Sequence, residues 1–252
     1  MIYITGDTHG EFERRFSTES FPEQKDMTKD DYVIICGDFG GIWDRVESEF
    51  EKYWLDWFEE RSYTLLFIDG NHENFDRLNG YKETEWNGGR VHEIRPHIFH
   101  LMRGQVFKID GKKIFAFGGA SSQDITGGIL EMEDPDFQRK KNELDTDSIS
   151  YRINHLSWWK EELASEHEME EGRENLRSHD NTVDYIITHC CSTSSQDLIR
   201  KKDSYIPDRE TEYFEYIKKH VRYRKWFFGH YHDNMNISDK EILLYEQIIR
   251  IS

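Results

Sequence analysis

The chain has 252 residues, enough for one large core or at most two modest ones, and 36% hydrophobic and 14% aromatic content supports folding despite 33% charged residues. Asp and Glu number 50 against 33 Lys and Arg, a net charge of −17, so the surface repels nucleic-acid backbone and anionic membranes. A phosphorylated substrate would therefore need a locally positive site, built from metal ions or a few placed Arg and Lys residues.

Cys36, Cys190 and Cys191 do not read as a disulfide framework, because two are adjacent and a third has no partner. Cys36 lies in an apolar run and reads as a buried, inert thiol. The opening MIYITGDTHG reaches charge at Asp7, unlike a signal peptide. No stretch approaches the roughly 18–20 apolar residues of a membrane span. These features predict a soluble protein of a reducing cytoplasm.

In chain order, IYITGDTHG (2–10) and YVIICGDFGG (32–41) read as short buried strands that stop at Gly and polar residues. In WDRVESEFEKYWLDWFEER (43–61), Trp43, Val46, Phe50, Tyr53, Trp54, Trp57 and Phe58 recur at spacings of three and four, predicting an amphipathic helix. TLLFIDGNHE (64–73) is a third strand, and the stretch 99–121 reads as a β-meander with its turn at Asp110–Gly111. The stretch from about 122 to 182 is acidic and helical, too poor in apolar residues for its own core, and reads as a lid-like insertion. DYIITHCC (184–191) and KWFFGHYHDN (225–234) are further strands, and 242–252 resembles a closing strand. The rhythm predicts an α/β layered fold with mixed sheets, in a single domain over 1–252.

The strand ends share a chemistry. They deliver Asp7 and His9, Asp38, Asn71 and His72, His189, and finally His230 and His232. Residues i and i+2 on a strand face the same way, and ligands of α/β sheets bind at the carboxyl ends of strands. Singly, each has a plain structural reading: Asp7 or Asp38 capping a helix, His189 satisfied in the core, His230 and His232 in a solvated turn. Together their position and chemistry point to one site. His92, His97, His100, His155, His167, His179 and His220 lack this context and read as surface or packing residues. Carboxylates, an amide carbonyl and imidazoles suit Mn²⁺, Fe²⁺, Zn²⁺ or Co²⁺. The donors are too numerous for one tetrahedral ion and suit two ions sharing a carboxylate, the arrangement that clamps attacking and leaving oxygens in phosphoryl displacement.

The series GDTHG, GDFGG, GNHE, THCC and GHYH resembles, in order, the signature of the calcineurin-like metallophosphoesterase family. FGGASS, SWWKEE and NLRSHDNTVDYIITHCC resemble a bacterial and prophage-type group within it. The resemblance implies a four-layer α/β/β/α sandwich with two mixed β-sheets. It further implies that Asp7, His9 and His232 hold one divalent ion, that Asp38 bridges, and that Asn71, His189 and His230 hold a second, with Mn favoured over Fe or Zn. His72 would then be catalytic, as a general acid or as a stabiliser of developing charge. The implied reaction is hydrolysis of a phosphomonoester or phosphodiester by a metal-bound hydroxide. The phosphoprotein phosphatases of the superfamily carry Asp and Arg where this chain has Gly41 and Ile42, and glycines where it has Cys190 and Cys191. The carboxylate that would orient His72 is thus missing from its motif, leaving Asp44 or another acid. Arg77 is either a replacement anion grip or a surface residue. Trp158 and Trp159 either stack on substrate or pack. A small phosphorylated substrate fits the charge best. The alternatives are a non-catalytic metal-binding scaffold, which would be expected to lose ligands, and a nuclease or nucleotide phosphodiesterase, which would need a basic groove.

Overall fold

The computed structural model describes residues 1–199 and 206–252. Two sheets face each other. The first is seven-stranded, in the order β15 (Ile249–Arg250), β1 (Ile2–Thr5), β2 (Tyr32–Ile35), β3 (Thr64–Phe67), β6 (Ile98–Leu101), β5 (Gly89–Arg95) and β4 (Lys82–Trp86). The second is six-stranded, in the order β13 (Met235–Asn236), β14 (Glu241–Leu243), β12 (Lys225–Phe228), β11 (Tyr185–Thr188), β8 (Lys112–Phe117) and β7 (Gln105–Ile109). Both have parallel centres and antiparallel edges.

Alternation along each strand sorts side chains between layers. Ile2, Ile4, Ile34 and Leu66 of the first sheet meet Ile114, Ala116, Ile187 and Phe227 of the second in a central apolar layer. The opposite faces, carrying Val33, Ile35, Leu65 and Phe67, pack against helices α1 (Phe12–Arg15), α2 (Glu49–Glu59) and α3 (Phe75–Leu78). Phe115, Phe117, Ile186, Trp226 and Phe228 face outward from the second sheet. They pack against α5 (Glu166–Ser178), α6 (Thr193–Ile199) and α7 (Arg209–His220). Three apolar interfaces make the four layers of an α/β/β/α sandwich.

Three local expectations change. The helix expected across 43–61 begins only after Ser48, because Ser48 and Glu51 close a capping box and Glu51 also takes the backbone N–H groups of Trp43 and Asp44. Trp43 therefore lies in a loop, and Val46, Phe50 and Tyr53 are exposed. The meander is split between sheets: β6 pairs with β3 in the first, and only β7–β8 forms the expected hairpin, with positive φ at both Asp110 and Gly111. The crossing is pinned at Arg103, whose buried guanidinium pairs with Asp69. The closing segment is also divided, with β14 parallel to β12 in one sheet and β15 antiparallel to β1 in the other.

The acidic stretch 122–182 has two parts. A protruding portion carries β9 (Ile129–Leu130), α4 (Phe137–Thr146) and β10 (Arg152–Ile153), with β9 and β10 paired in parallel. Helix α5 belongs to the outer layer and buries Met169 and Leu176 against the second sheet. Trp159 is buried in the core of the first sheet and donates its indole N–H to Asp76 at 2.8 Å, a packing role. The three cysteines are free and buried. Among the described residues, no helix is long and apolar enough to cross a membrane.

Candidate metal centre

The parallel strands β1, β2 and β3 end on the same side of the first sheet, and β11 and β12 end beside them in the second. The loops after these strands are stitched together by backbone bonds. Thr8 and His9 donate to the Asp38 carbonyl at 3.1 and 2.8 Å, and Gly229 donates to the His189 carbonyl at 2.9 Å. Such close approach requires residues without side chains. A Cβ on Gly70 would lie 2.0 Å from Asp38 Oδ1, and one on Gly229 would lie 2.0 Å from Asp7 Oδ1.

Asp7, His9, Asp38 and His232 form one tight group, with a donor atom from each lying within 4.8 Å of the others. His232 Nε2 is 3.2 Å from Asp7 Oδ2, and the Nε2 atoms of His9 and His232 face each other at 2.9 Å. Asp38 extends the group. Its Oδ2 is 3.5 Å from His9 Nε2 on one side and 3.4 Å from His189 Nε2 on the other. His189 Nε2 is also 3.3 Å from Asn71 Oδ1, and the His189 and His230 rings lie edge to face at 5.1 Å. The structure thus gathers all seven predicted donors, four from loops of the first sheet and three from the second.

Neighbouring groups aim these donors. His189 Nδ1 bonds the Cys36 carbonyl at 2.7 Å, which fixes the tautomer and turns Nε2 inward. Asn71 donates its amide to Ser122 Oγ at 3.3 Å, so its carbonyl oxygen faces His189. Ser122 is held in turn by the buried Glu162. The His230 N–H donates to both Asp7 oxygens, at 2.9 and 3.1 Å. His9, Asp38, His230 and His232 all have φ between 47° and 68°, a left-handed backbone that costs L residues of order 1 kcal/mol or more each and clusters at functional sites.

The electrostatics show a demand for positive charge. Burial alone would lower the His189 imidazole, but Asp38 and Asp7 outweigh it and push it up to about 10. Burial would raise the Asp38 carboxyl, yet His189, His72 and His9 hold it well below the usual carboxylate range. The bond to Asp7 raises His232, while burial, reinforced by His189, lowers His230 to about 3. With buried carboxylates holding protons on adjacent imidazoles, the donor set fits a divalent cation that would take the place of those protons.

His72 follows Asn71, and its backbone N–H donates to Asp38 Oδ1 at 2.7 Å. Its ring packs beside Trp43 and His9 and lines a cleft of about 340 Å³ with Phe50. Among the described residues no carboxylate bonds this ring, Asp44 included. Its Nε2 lies instead 3.4 Å from Arg152 Nη2. Arg77 is held by Glu51 at 2.7 Å and the Asp44 carbonyl at 2.8 Å, which ties α3 to the loop before α2. Sequence reasoning missed Arg152, which lies in no motif, and Ser122 and Glu162, whose stretches FGGASS and SWWKEE carry a family resemblance without assigning either residue a role. Glu73 of GNHE was quoted without a role; buried, it accepts the Phe39 N–H at 2.8 Å and binds the loop after β3 to that after β2.

A two-sheet α/β sandwich with such a cluster across its strand ends defines a metal-dependent phosphoesterase. The calcineurin-like phosphoesterase family model matches residues 1–234, and the chain belongs to that family. Among curated relatives, it is 25% identical over 251 residues to lariat debranching enzyme A of Xenopus laevis and 25% identical over 256 residues to the lariat debranching enzyme of Drosophila melanogaster. Each alignment covers 92% of this chain but only 42% of the relative, so the chain spans about two-fifths of their length. The crystal structure of phosphopantetheinyl hydrolase from Mycobacterium tuberculosis aligns with a TM-score of 0.47 and 11% identity, over 97% of this chain and 87% of that one.

Proposed function

We propose that the chain hydrolyses a phosphomonoester or phosphodiester at a centre of two divalent cations. In this reading Asp7, His9 and His232 hold one ion, Asn71, His189 and His230 the other, and Asp38 lies between them. The observation that supports it is the placement of Asp38 Oδ2, within 3.5 Å of His9 on one side and 3.4 Å of His189 on the other. When bound, the ions would polarise the phosphoryl oxygens and lower the pKa of water, with Mn²⁺ the favoured pair. The residues of the chain position the reaction. His72 faces the cleft, where its imidazole stabilises developing charge or protonates the leaving oxygen. Trp43 and Phe50 line the cleft with apolar surface beside His72.

The test is hydrolysis of p-nitrophenyl phosphate and its bis-ester by the Mn²⁺-loaded protein and by His72→Asn. The wild type should act on at least one ester, and the variant should lose about 10²-fold or more in kcat while keeping its metal. A wild type inactive on both across Mn²⁺, Fe²⁺ and Zn²⁺ would contradict the proposal. The relatives' naming as debranching enzymes favours the diester, so the bis-ester should be the better substrate if this chain shares their chemistry.

A further inference from the structure

We propose that Arg152 is the phosphate-gripping residue of this site, carried to the cleft by the segment between Ser122 and Lys160 and aimed by Asp124. The proposal rests on the phosphoesterase reading above and adds a residue to it.

The position comes first. Arg152 opens β10, which pairs in parallel with β9, Arg152 opposite Ile129 and Ile153 opposite Leu130. This pairing anchors the backbone of an otherwise protruding segment. Its guanidinium bridges Asp124 with two bonds, Nε to Oδ1 at 3.1 Å and Nη2 to Oδ2 at 2.5 Å. A bidentate carboxylate fixes the plane of the fork, and so fixes where the remaining donors point. Nη2 then lies 3.4 Å from His72 Nε2, and Nη1 reaches the Ser157 carbonyl only at 3.5 Å. The Arg152 side chain is 14% exposed and Asp124 51%. The guanidinium is thus tucked beside His72, with its counter-charge on the outside.

The chemistry comes second. Arg has only donors, so it can meet His72 Nε2 only when that nitrogen carries no proton. At 3.4 Å that contact is long for a hydrogen bond and is easily replaced. A phosphoryl oxygen accepts from the guanidinium directly, and from His72 once its Nε2 carries the proton. It would sit between guanidinium and imidazole, as no protein group here does.

The competing cations are engaged elsewhere. Arg77 is held by Glu51, Arg103 is buried on Asp69, and Arg15 donates to the Gly6 carbonyl at 2.8 Å. In a chain of net charge −17, an anionic substrate needs this kind of local cation. A purely structural Arg152–Asp124 pair is the plain alternative, but a pair with one exposed partner contributes little stability.

The experiment measures inorganic phosphate binding to the Mn²⁺-loaded wild type, Arg152→Ala, Arg152→Lys and Asp124→Asn by calorimetry. Metal content and thermal midpoint are measured on the same samples. The expected result is at least tenfold weaker phosphate binding for Arg152→Ala, a smaller loss for Arg152→Lys and for Asp124→Asn, and unchanged metal content in all. Where a phosphoester is turned over, KM should rise by a similar factor. Equal phosphate affinity in wild type and Arg152→Ala overturns the proposal, as does a metal-loaded wild type that binds no phosphate. Phosphate binding that weakens in Arg152→Ala while the wild type hydrolyses nothing would keep the grip and remove the hydrolytic reading. If Arg152→Ala unfolds, Arg152→Lys carries the comparison, because it keeps the charge and loses the fork.

Discussion

Asp38 is buried between His9 and His189. The carboxylate can stay ionised there only with positive charge beside it, and without a metal that charge is a proton on His189. With the His189 imidazole at about 10, a cation binding at pH 7 must expel that proton. Metal affinity should therefore increase with pH through the neutral range. Calorimetric titration with Mn²⁺ in buffers of different ionisation enthalpy should show release of about one proton per chain; affinity and heat independent of pH and buffer would contradict this. Glu210 presents the opposite case. It is buried at the start of α7, where burial outweighs the nearby Arg103 and pushes its carboxyl up to about 8 from the ordinary 4.5. The folded state disfavours the ionised form, so this group subtracts stability as pH rises above about 4.5, and the loss is complete above about 8. Its full size is of order a few kcal/mol. Glu210→Gln, neutral at every pH, should remove this slope. The gap between variant and wild-type thermal midpoints should move in the variant's favour between pH 5 and 8. A gap that does not change with pH would show that Glu210 is not charged to different extents in the folded and unfolded chain.

At the scale of elements, the site depends on how closely the loops after β1, β2, β3, β11 and β12 can approach. Gly70→Ala puts a methyl group 2.0 Å from Asp38 Oδ1, so the loop after β3 must shift away from the loop after β2. The variant should lose metal affinity by about tenfold or more, and stability by about 1–3 kcal/mol in chemical denaturation. Unchanged metal binding would mean that the loops are not held as tightly as described. The same closeness explains why the donors were legible in the sequence. Each had to sit within a few residues of a buried apolar strand, and such strands announce themselves as short runs of Val, Ile, Phe and Tyr. The division of β6 from β7 was not legible, because alternation marks a strand without naming its sheet. That choice is made by the buried Arg103–Asp69 pair, a contact across 34 positions in the chain. The start of α2 was missed because the stripe at 43–58 has helical spacing, while Glu51 bonds the backbone at Trp43, Asp44 and Ser48 and holds the helix start back to Glu49. Ser122 and Glu162 meet across 40 positions of the chain, and Arg152 comes beside His72 from a stretch with no motif, contacts that local pattern does not encode.

Across the whole molecule, two sheets bring the ends of their parallel strands to one edge, and the C-terminal tail locks them together. Strand β14 pairs in one sheet and β15 in the other, while the Gly6 N–H donates to the Tyr245 carbonyl at 3.2 Å beside the Asp7 loop. Donors from both sheets thus meet at one edge. The chain as a whole is strongly acidic, so the proposed cation centre and Arg152 would together set where an anion can dock. The central claim is that this edge holds two cations joined through Asp38. Metal content of purified, Mn²⁺-equilibrated wild type and Asp38→Asn, read by elemental analysis after removal of free metal, tests it most directly. The account predicts about two ions per chain in the wild type and loss of at least one in the variant, with activity reduced about 10²-fold or more. A wild type that retains no metal, or an Asp38→Asn protein that keeps both ions and full activity, would contradict it.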